Sequence, residues 1–255
     1  MAKQTGSAGK SAREMAEDRR MRAMVPLVIM VLILWLFLKL HLITKFGLPA
    51  LFVLAIGFAV ARVFIEKKVD HAVKRAKDAD RGALAEEKVG DELGKLPEGW
   101  HVFHDVVFSG FNIDHIAAGP GGIFAVETKS HRGKVTAQGD KLLLNGKSTE
   151  KDFLKQAWGE AFKVQEILKE HIAREVRVQP VVCFTRGFIK TPPRVKGVVV
   201  TNLGYLRRNL LRETDAIDSQ TLEEVVQMLR LRVVGELPPE GQLARTTMWK
   251  DFGEQ

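Results

Sequence analysis

The 255-residue chain predicts an α/β protein, a mixed sheet flanked by helices and preceded by a two-helix transmembrane hairpin. Three observations predict it. Two apolar runs of about 20 residues stand near the N-terminus, each long enough to cross a hydrocarbon core of roughly 30 Å. Behind them, short Val-rich segments punctuated by Gly and Pro read as strands. Segments of helical periodicity separate those strands.

The first apolar run spans Ala23 to Ile43, interrupted by Lys39 and His41; the second spans Phe46 to Ile65, interrupted by Arg62. Neither shows the polar stripe of a helix packed in a water-soluble core. Lys39 and Arg62 lie near the run ends, where they can snorkel to headgroups. A cleaved signal peptide fits poorly, because a 22-residue lead precedes the first run and a second run follows at once. Basic residues flank the pair. Lys3, Lys10, Arg13, Arg19, Arg20 and Arg22 come before it, and Lys67, Lys68, Lys74, Arg75, Lys77 and Arg81 after it. The positive-inside rule then predicts a multi-pass inner-membrane protein with both termini and the soluble domain cytoplasmic, and the lipid bilayer as a partner. On this reading residues 1–22 are a disordered tail, 23–66 the two transmembrane helices, 67–81 a charged stalk, 82–210 the globular domain and 211–255 a C-terminal helical extension.

Charge divides along the same boundary. Residues 1–81 hold 15 Lys and Arg against 7 Asp and Glu, while residues 82–255 hold 24 of each. The net +8 therefore belongs wholly to the first 81 residues, and the basic isoelectric point is no argument for nucleic-acid binding by the domain. A neutral domain can still carry a basic face, but composition does not display one. The single cysteine, Cys183, lies in the apolar run Val181-Val182-Cys183-Phe184 and reads as a buried strand residue. It allows no intramolecular disulfide.

Within the domain, a first helix runs from Leu84 to Leu96 and stops before Pro97. Glu86, Val89 and Leu93 share a face of it, so Glu86 turns toward the sheet and Glu87 toward solvent. Trp100 to Phe108 reads as a strand, and Val135 to Leu144 as a short extra pair. Thr149-Glu150-Lys151-Asp152 precedes a helix from Asp152 to His171 like a capping box. Val176–Thr185 and Lys196–Thr201 read as later strands, with Pro180 placing the first at an edge or irregularity. Thr221 opens a last helix, and the residues after Leu237 look loose.

The chemistry concentrates in one hairpin. Asn112 to Ala118 and Ile123 to Lys129 flank the turn Gly119-Pro120-Gly121-Gly122. With Ala118 across from Ile123, the register places Asp114 across from Glu127, their Cβ atoms roughly 5 Å apart. Lys129 lies two residues beyond Glu127 and points to the same side. Two carboxylates at that distance repel unless positive charge sits between them. A hard divalent cation supplies that charge. So does Lys129, which could close an Asp–Lys–Glu ion-pair cluster without metal. His115 faces away from Asp114, and His131 follows Lys129 in a turn within reach of a substrate.

These residues resemble the core of the PD-(D/E)xK nuclease superfamily, and more narrowly the NERD, or nuclease-related, domain. The resemblance begins at Gly82-Ala83-Leu84-Ala85-Glu86-Glu87-Lys88-Val89, continues through Ile113-Asp114-His115, Gly122 to Lys129 and Gly133, and ends near Gln156. Ala85 stands where the family has Gly, Ser130 where Asn often follows the Lys, Asn112 where some relatives have Asp, and Glu160 where some nucleases have Tyr. None of these removes an implied metal ligand. The resemblance implies a restriction-endonuclease-like fold and a membrane-anchored hydrolase of DNA phosphodiester bonds. It implies Mg²⁺ or Mn²⁺ held by Asp114, Glu127, the Thr128 carbonyl and Glu86, with Lys129 and Gln156 completing the catalytic set. The alternative is a non-catalytic nucleic-acid-binding or scaffold module on the same fold.

Overall fold

The computed structural model describes residues 1–39, 42–108, 111–172, 174–212 and 216–235. It divides into two compact units, residues 11–83 and residues 1–10 together with 84 onward.

The first unit is helical. Helix α1 spans Lys10–Lys39, and α2 spans Leu42–Gly94, of which residues up to 83 belong here. Arg19 of α1 donates to the Arg75 carbonyl of α2 at 3.0 Å, and Ala12, Ala16 and Ala76 are buried. Among the described residues no helix is long and apolar enough to cross a membrane. The expected transmembrane hairpin and the multi-pass inner-membrane location are corrected accordingly. Both helices join the apolar runs to charged sequence in one piece: α1 begins at Lys10, and α2 runs for 53 residues to Gly94.

The second unit is a mixed α/β domain. Strands β1 (Lys3–Thr5), β2 (His101–Phe108), β3 (Phe111–Gly119), β4 (Gly122–Gln138), β5 (Lys141–Leu144), β6 (Lys147–Ser148), β7 (Val178–Lys190), β8 (Arg194–Val195) and β9 (Val198–Asn202) form one sheet. Its order is β1-β2-β3-β4-β7-β9-β8, with β5 and β6 extending from β4. The remaining helices are α3 (Phe153–Ile172), α4 (Leu206–Arg212) and α5 (Ser219–Val234). Val89 and Leu93 of α2 and Leu206 and Leu210 of α4 pack with Val102, Ala117, Phe124 and Val126 on one sheet face. On the other face, Ala161 and Val164 of α3 and Val225 and Leu229 of α5 pack with Phe103, Ile116 and Ala125. Alternation of apolar side chains on both faces explains why these strands read as nearly continuous hydrophobic runs. The last helix, placed by sequence in a separate extension, thus shares the main core.

Several local expectations change. Residues 3–5 lie in β1 and residue 10 begins α1, so the N-terminal 22 residues are not a disordered tail. The sheet edge supplies the order: β1 pairs in parallel with β2, and Gln4 meets His104 at 2.9 Å. Pro180 lies in β7, between β4 and β9, rather than at an edge. The β9 ladder begins only at Val181, so the missing proline N–H is not required on that side. Asp152, not Thr149, caps α3, accepting from Leu154 and Lys155 N–H at 3.0 Å each. Asp218 caps α5 through Thr221 N–H at 2.9 Å. The loose segment expected after Leu237 lies outside the described residues.

The central hairpin turns on two residues, Pro120 and Gly121, because Gly119 pairs with Gly122. Shortening the turn symmetrically leaves the register intact, and the ladder runs from there to His115 opposite Val126. Gly119 is required by close approach: a Cβ there would stand 2.3 Å from the Trp100 ring. Gly133 has φ +133°, and a Cβ there would strike the Asn145 amide. That amide accepts the Lys134 N–H at 2.8 Å and holds β4 in its path beyond the hairpin. Gly119→Ala is expected to lower stability by about 1–3 kcal/mol through overpacking against Trp100, read by urea denaturation.

Candidate active site

The site forms where the hairpin ladder stops. The next pair beyond His115 and Val126 is Asp114 and Glu127, and it is not bridged by ladder bonds. Instead the Thr128 N–H donates to the Asp114 carboxylate at 2.8 Å. The β2–β3 ladder is interrupted at the same level. His104 pairs with His115 and Val106 with Ile113, but the intervening Asp105 and Asp114 are skipped. Asp105 has φ +54°, a left-handed backbone that Asp tolerates better than most residues. Asp105, Asp114 and Glu127 thus occupy corresponding positions on three adjacent strands.

Beside them, Lys129 donates to the Glu127 carboxylate and, at 3.0 Å, to the Gln156 side-chain carbonyl. The Gln156 amide donates to Glu127 at 2.8 Å and to Glu160 at 2.9 Å. Gln156 and Glu160 are one turn apart on α3, so they share a face. Glu127, Lys129 and Glu160 are only 5%, 9% and 9% exposed. The Lys129 ammonium also sits 4.8 Å from the centre of the Phe153 ring, against which His131 packs at 5.2 Å. Lys129 is therefore held between an aromatic face, an amide and a carboxylate.

Positive charge is scarce in this cluster. Burial raises the Asp114 carboxyl well above its usual range, and the charges of Glu127 and Glu86 add to the rise. Burial, then Asp105, Glu127 and Glu87, push Glu86 up to about 7. Glu160 is pushed up to about 9 by burial and then by Glu127, despite opposing help from Gln156 and Lys129. One Glu160 carboxylate oxygen is buried without a hydrogen-bond partner. Isolated carboxylates in such surroundings take up protons or recruit cations.

The residues singled out by sequence, Glu86, Asp114, Glu127, Thr128, Lys129 and Gln156, therefore lie in one electrostatic neighbourhood. They do not all play the same geometric part. Among the described residues, no three of His, Cys, Asp and Glu stand as a ready metal-ligand set. Glu86 interacts through charge, and Glu87 is half-buried rather than exposed, adding to the strain on Glu86. His115 faces the other side, its Nδ1 2.8 Å from that of His104, and burial lowers the proton affinity of both. Burial pushes the Cys183 thiol up, away from nucleophilic character.

Sequence reasoning missed two members. Asp105 required the β2–β3 register, which no local pattern gives. Glu160 left a readable trace: it lies on the apolar stripe of α3 between Ala157, Ala161 and Val164, where a carboxylate needs a reason.

Residues 81–185 match the family model of the NERD, or nuclease-related, domain. That segment contains the whole cluster. No curated protein matches the chain, and no solved structure does.

Glu160 sets a pH dependence. Its raised folded-state affinity means the folded protein holds a proton that the unfolded chain releases above about 4.5. The associated stability is full below that pH and is lost as pH rises toward about 9. Glu160→Gln, which keeps an acceptor for Gln156, is expected to flatten this loss. Urea denaturation at pH 5 and pH 8 in chelator should show the variant gaining on the wild type only at the higher pH.

Proposed function

We propose that the nuclease-related domain is a metal-dependent hydrolase of phosphodiester bonds, with DNA as its substrate. The observation that supports it best is the convergence of Asp114, Glu127 and Lys129, braced by Gln156, inside the matched segment. The donor set is suited to Mg²⁺ or Mn²⁺. Its carboxyl groups are short of positive charge, and a buried Glu160 oxygen lacks a partner. Magnesium commonly uses one or two protein carboxylates and keeps several waters, so a ready trio of ligands is not required. Asp114 and Glu127 would hold the ion, with the Thr128 carbonyl as a further donor and Glu86 adding negative charge nearby. Such an ion lowers the pKa of a bound water and neutralises charge on the phosphate.

The protein groups have separate tasks. The Thr128 N–H fixes the orientation of the Asp114 carboxylate. Lys129 places a positive charge beside Glu127, where negative charge grows on an attacked phosphate. Gln156 connects Lys129, Glu127 and Glu160, so that the ammonium and the carboxylate keep their mutual geometry.

A second reading is favoured by one observation: Lys129 already neutralises Glu127. On that reading the domain keeps the fold, binds nucleic acid or a protein partner, and cleaves nothing. Titration calorimetry with Mn²⁺ separates the two, since the non-cleaving module takes up no ion. For the hydrolase, incubation of the protein with DNA and Mg²⁺ should give cleavage that chelator abolishes. Asp114→Ala and Lys129→Ala should each reduce the rate by at least about 100-fold. Equal cutting by wild type and both variants would assign the activity to a contaminant.

A further inference from the structure

The domain that is neutral as a whole is not neutral in its parts. Residues 130–151 and 185–196 hold nine Lys and Arg against two Asp and Glu. The rest of residues 82–255 then holds 15 against 22, so the basic excess concentrates in one arm. The arm is the far half of β4 and β7 with β5 laid against it.

Register places its cations together. Arg132 pairs with Arg186, Lys134 with Phe188, and Thr136 with Lys190 along parallel β4 and β7. Gln138 pairs with Lys141 on the other side of β4. Residues paired in register, and residues two apart along one strand, point to one side of a sheet. Arg132, Lys134, Lys141, Arg186, Phe188 and Lys190 therefore share a face, and all six are exposed. The opposite face is occupied by Val135 and Ile189, packed toward the core. No Asp or Glu occupies these strand positions, and none of the five cations forms an ion pair with a described residue.

Phe188 is the second unusual feature. It is 60% exposed at the centre of the basic face, with the Lys190 ammonium 5.6 Å from its ring centre. An aromatic ring ringed by cations on an open strand face suits a chain of alternating anions and flat bases. Basic residues follow the phosphates and the ring offers a platform for an unstacked base. Arg132 lies three residues beyond Lys129 on the same strand, roughly 10 Å at strand spacing. The strand that carries the candidate catalytic lysine thus runs directly into the basic face.

We propose that this face is a docking track for a single nucleic-acid strand, with phosphates on Arg132, Lys134, Lys141, Arg186 and Lys190 and a base on Phe188. The choice of a nucleic acid among polyanions rests on the nuclease reading above. The binding claim itself does not require hydrolysis.

The test uses the full chain in EDTA, so that cleavage plays no part. A fluorescein-labelled 20-nucleotide oligothymidine is titrated by anisotropy at several salt concentrations. Loss of two phosphate contacts in Arg186→Ala/Lys190→Ala should make the slope of log K against log salt shallower by about 1.4. The difference between the two proteins removes the contribution of the basic residues 1–81. Phe188→Ala should weaken binding to the single strand by at least about fivefold while leaving binding to a blunt duplex unchanged. An unchanged salt slope in the double variant overturns the proposal, because the arm would then be only a solvated basic face. Equal weakening on single strand and duplex by Phe188→Ala overturns the stacking part. Binding that persists while Asp114→Ala and the wild type both fail to cleave in Mg²⁺ would retain the track and discard the hydrolase.

Discussion

One ammonium group shared among several buried carboxyl groups is the constraint on which the rest of the domain depends. Lys129 touches Glu127 and Gln156, and Gln156 reaches Glu160. Asp114 is held from the other side by a backbone N–H. Burying this much negative potential costs several kcal/mol per unpaired ion. The cost is tolerable because the cluster lies where two ladders are interrupted and is braced by hydrogen bonds from β4 and α3. Any account of function has to explain why so much acid is collected around so little base. Structural ion pairing explains Glu127 and Lys129 but leaves Asp114, Glu86 and Glu160 raised and one oxygen of Glu160 without a partner. The proposed cation in the same place would answer all of these together.

The hairpin was legible in the sequence for a specific reason. A strand has a period of two, and a symmetric hairpin keeps its register whether the turn takes four residues or two. Reading Gly119 to Gly122 as the loop instead of Pro120 and Gly121 therefore did not move Asp114 relative to Glu127. Gln156 was readable only through the family pattern, since a glutamine in the second turn of a helix looks like surface. Glu160 and Asp105 depended on tertiary facts. The first needed the buried face of α3 and the second the pairing of β2 with β3.

The N-terminal region shows the opposite case. Lys3, Gln4 and Thr5 have no strand-like pattern of their own, and their extended form is imposed by the edge of β2 and the backbone bonds it offers. The apolar runs were visible, but the long helices that carry them were not: α2 continues for 53 residues into charged sequence, which a hydropathy window does not register. Composition failed in the same way for the domain's charge. A total of zero hides a separation that appears only when β4 and β7 are laid side by side in register.

That separation bears on how an acidic site could act on a polyanion at all. The charges of Asp105 and Glu127, joined by Glu86 and Asp114 when these ionise, repel phosphate, and one lysine does not reverse them. A substrate must therefore be drawn in by charge located elsewhere and neutralised locally only on arrival. The basic face on the far half of β4 and β7 meets the first requirement at a distance of the order of a Debye length, about 10 Å at 0.1 M salt. The proposed divalent cation between Asp114 and Glu127 would meet the second. On that proposal attraction and chemistry are divided between the two halves of β4, with the register shift between Lys129 and Arg132 marking the boundary.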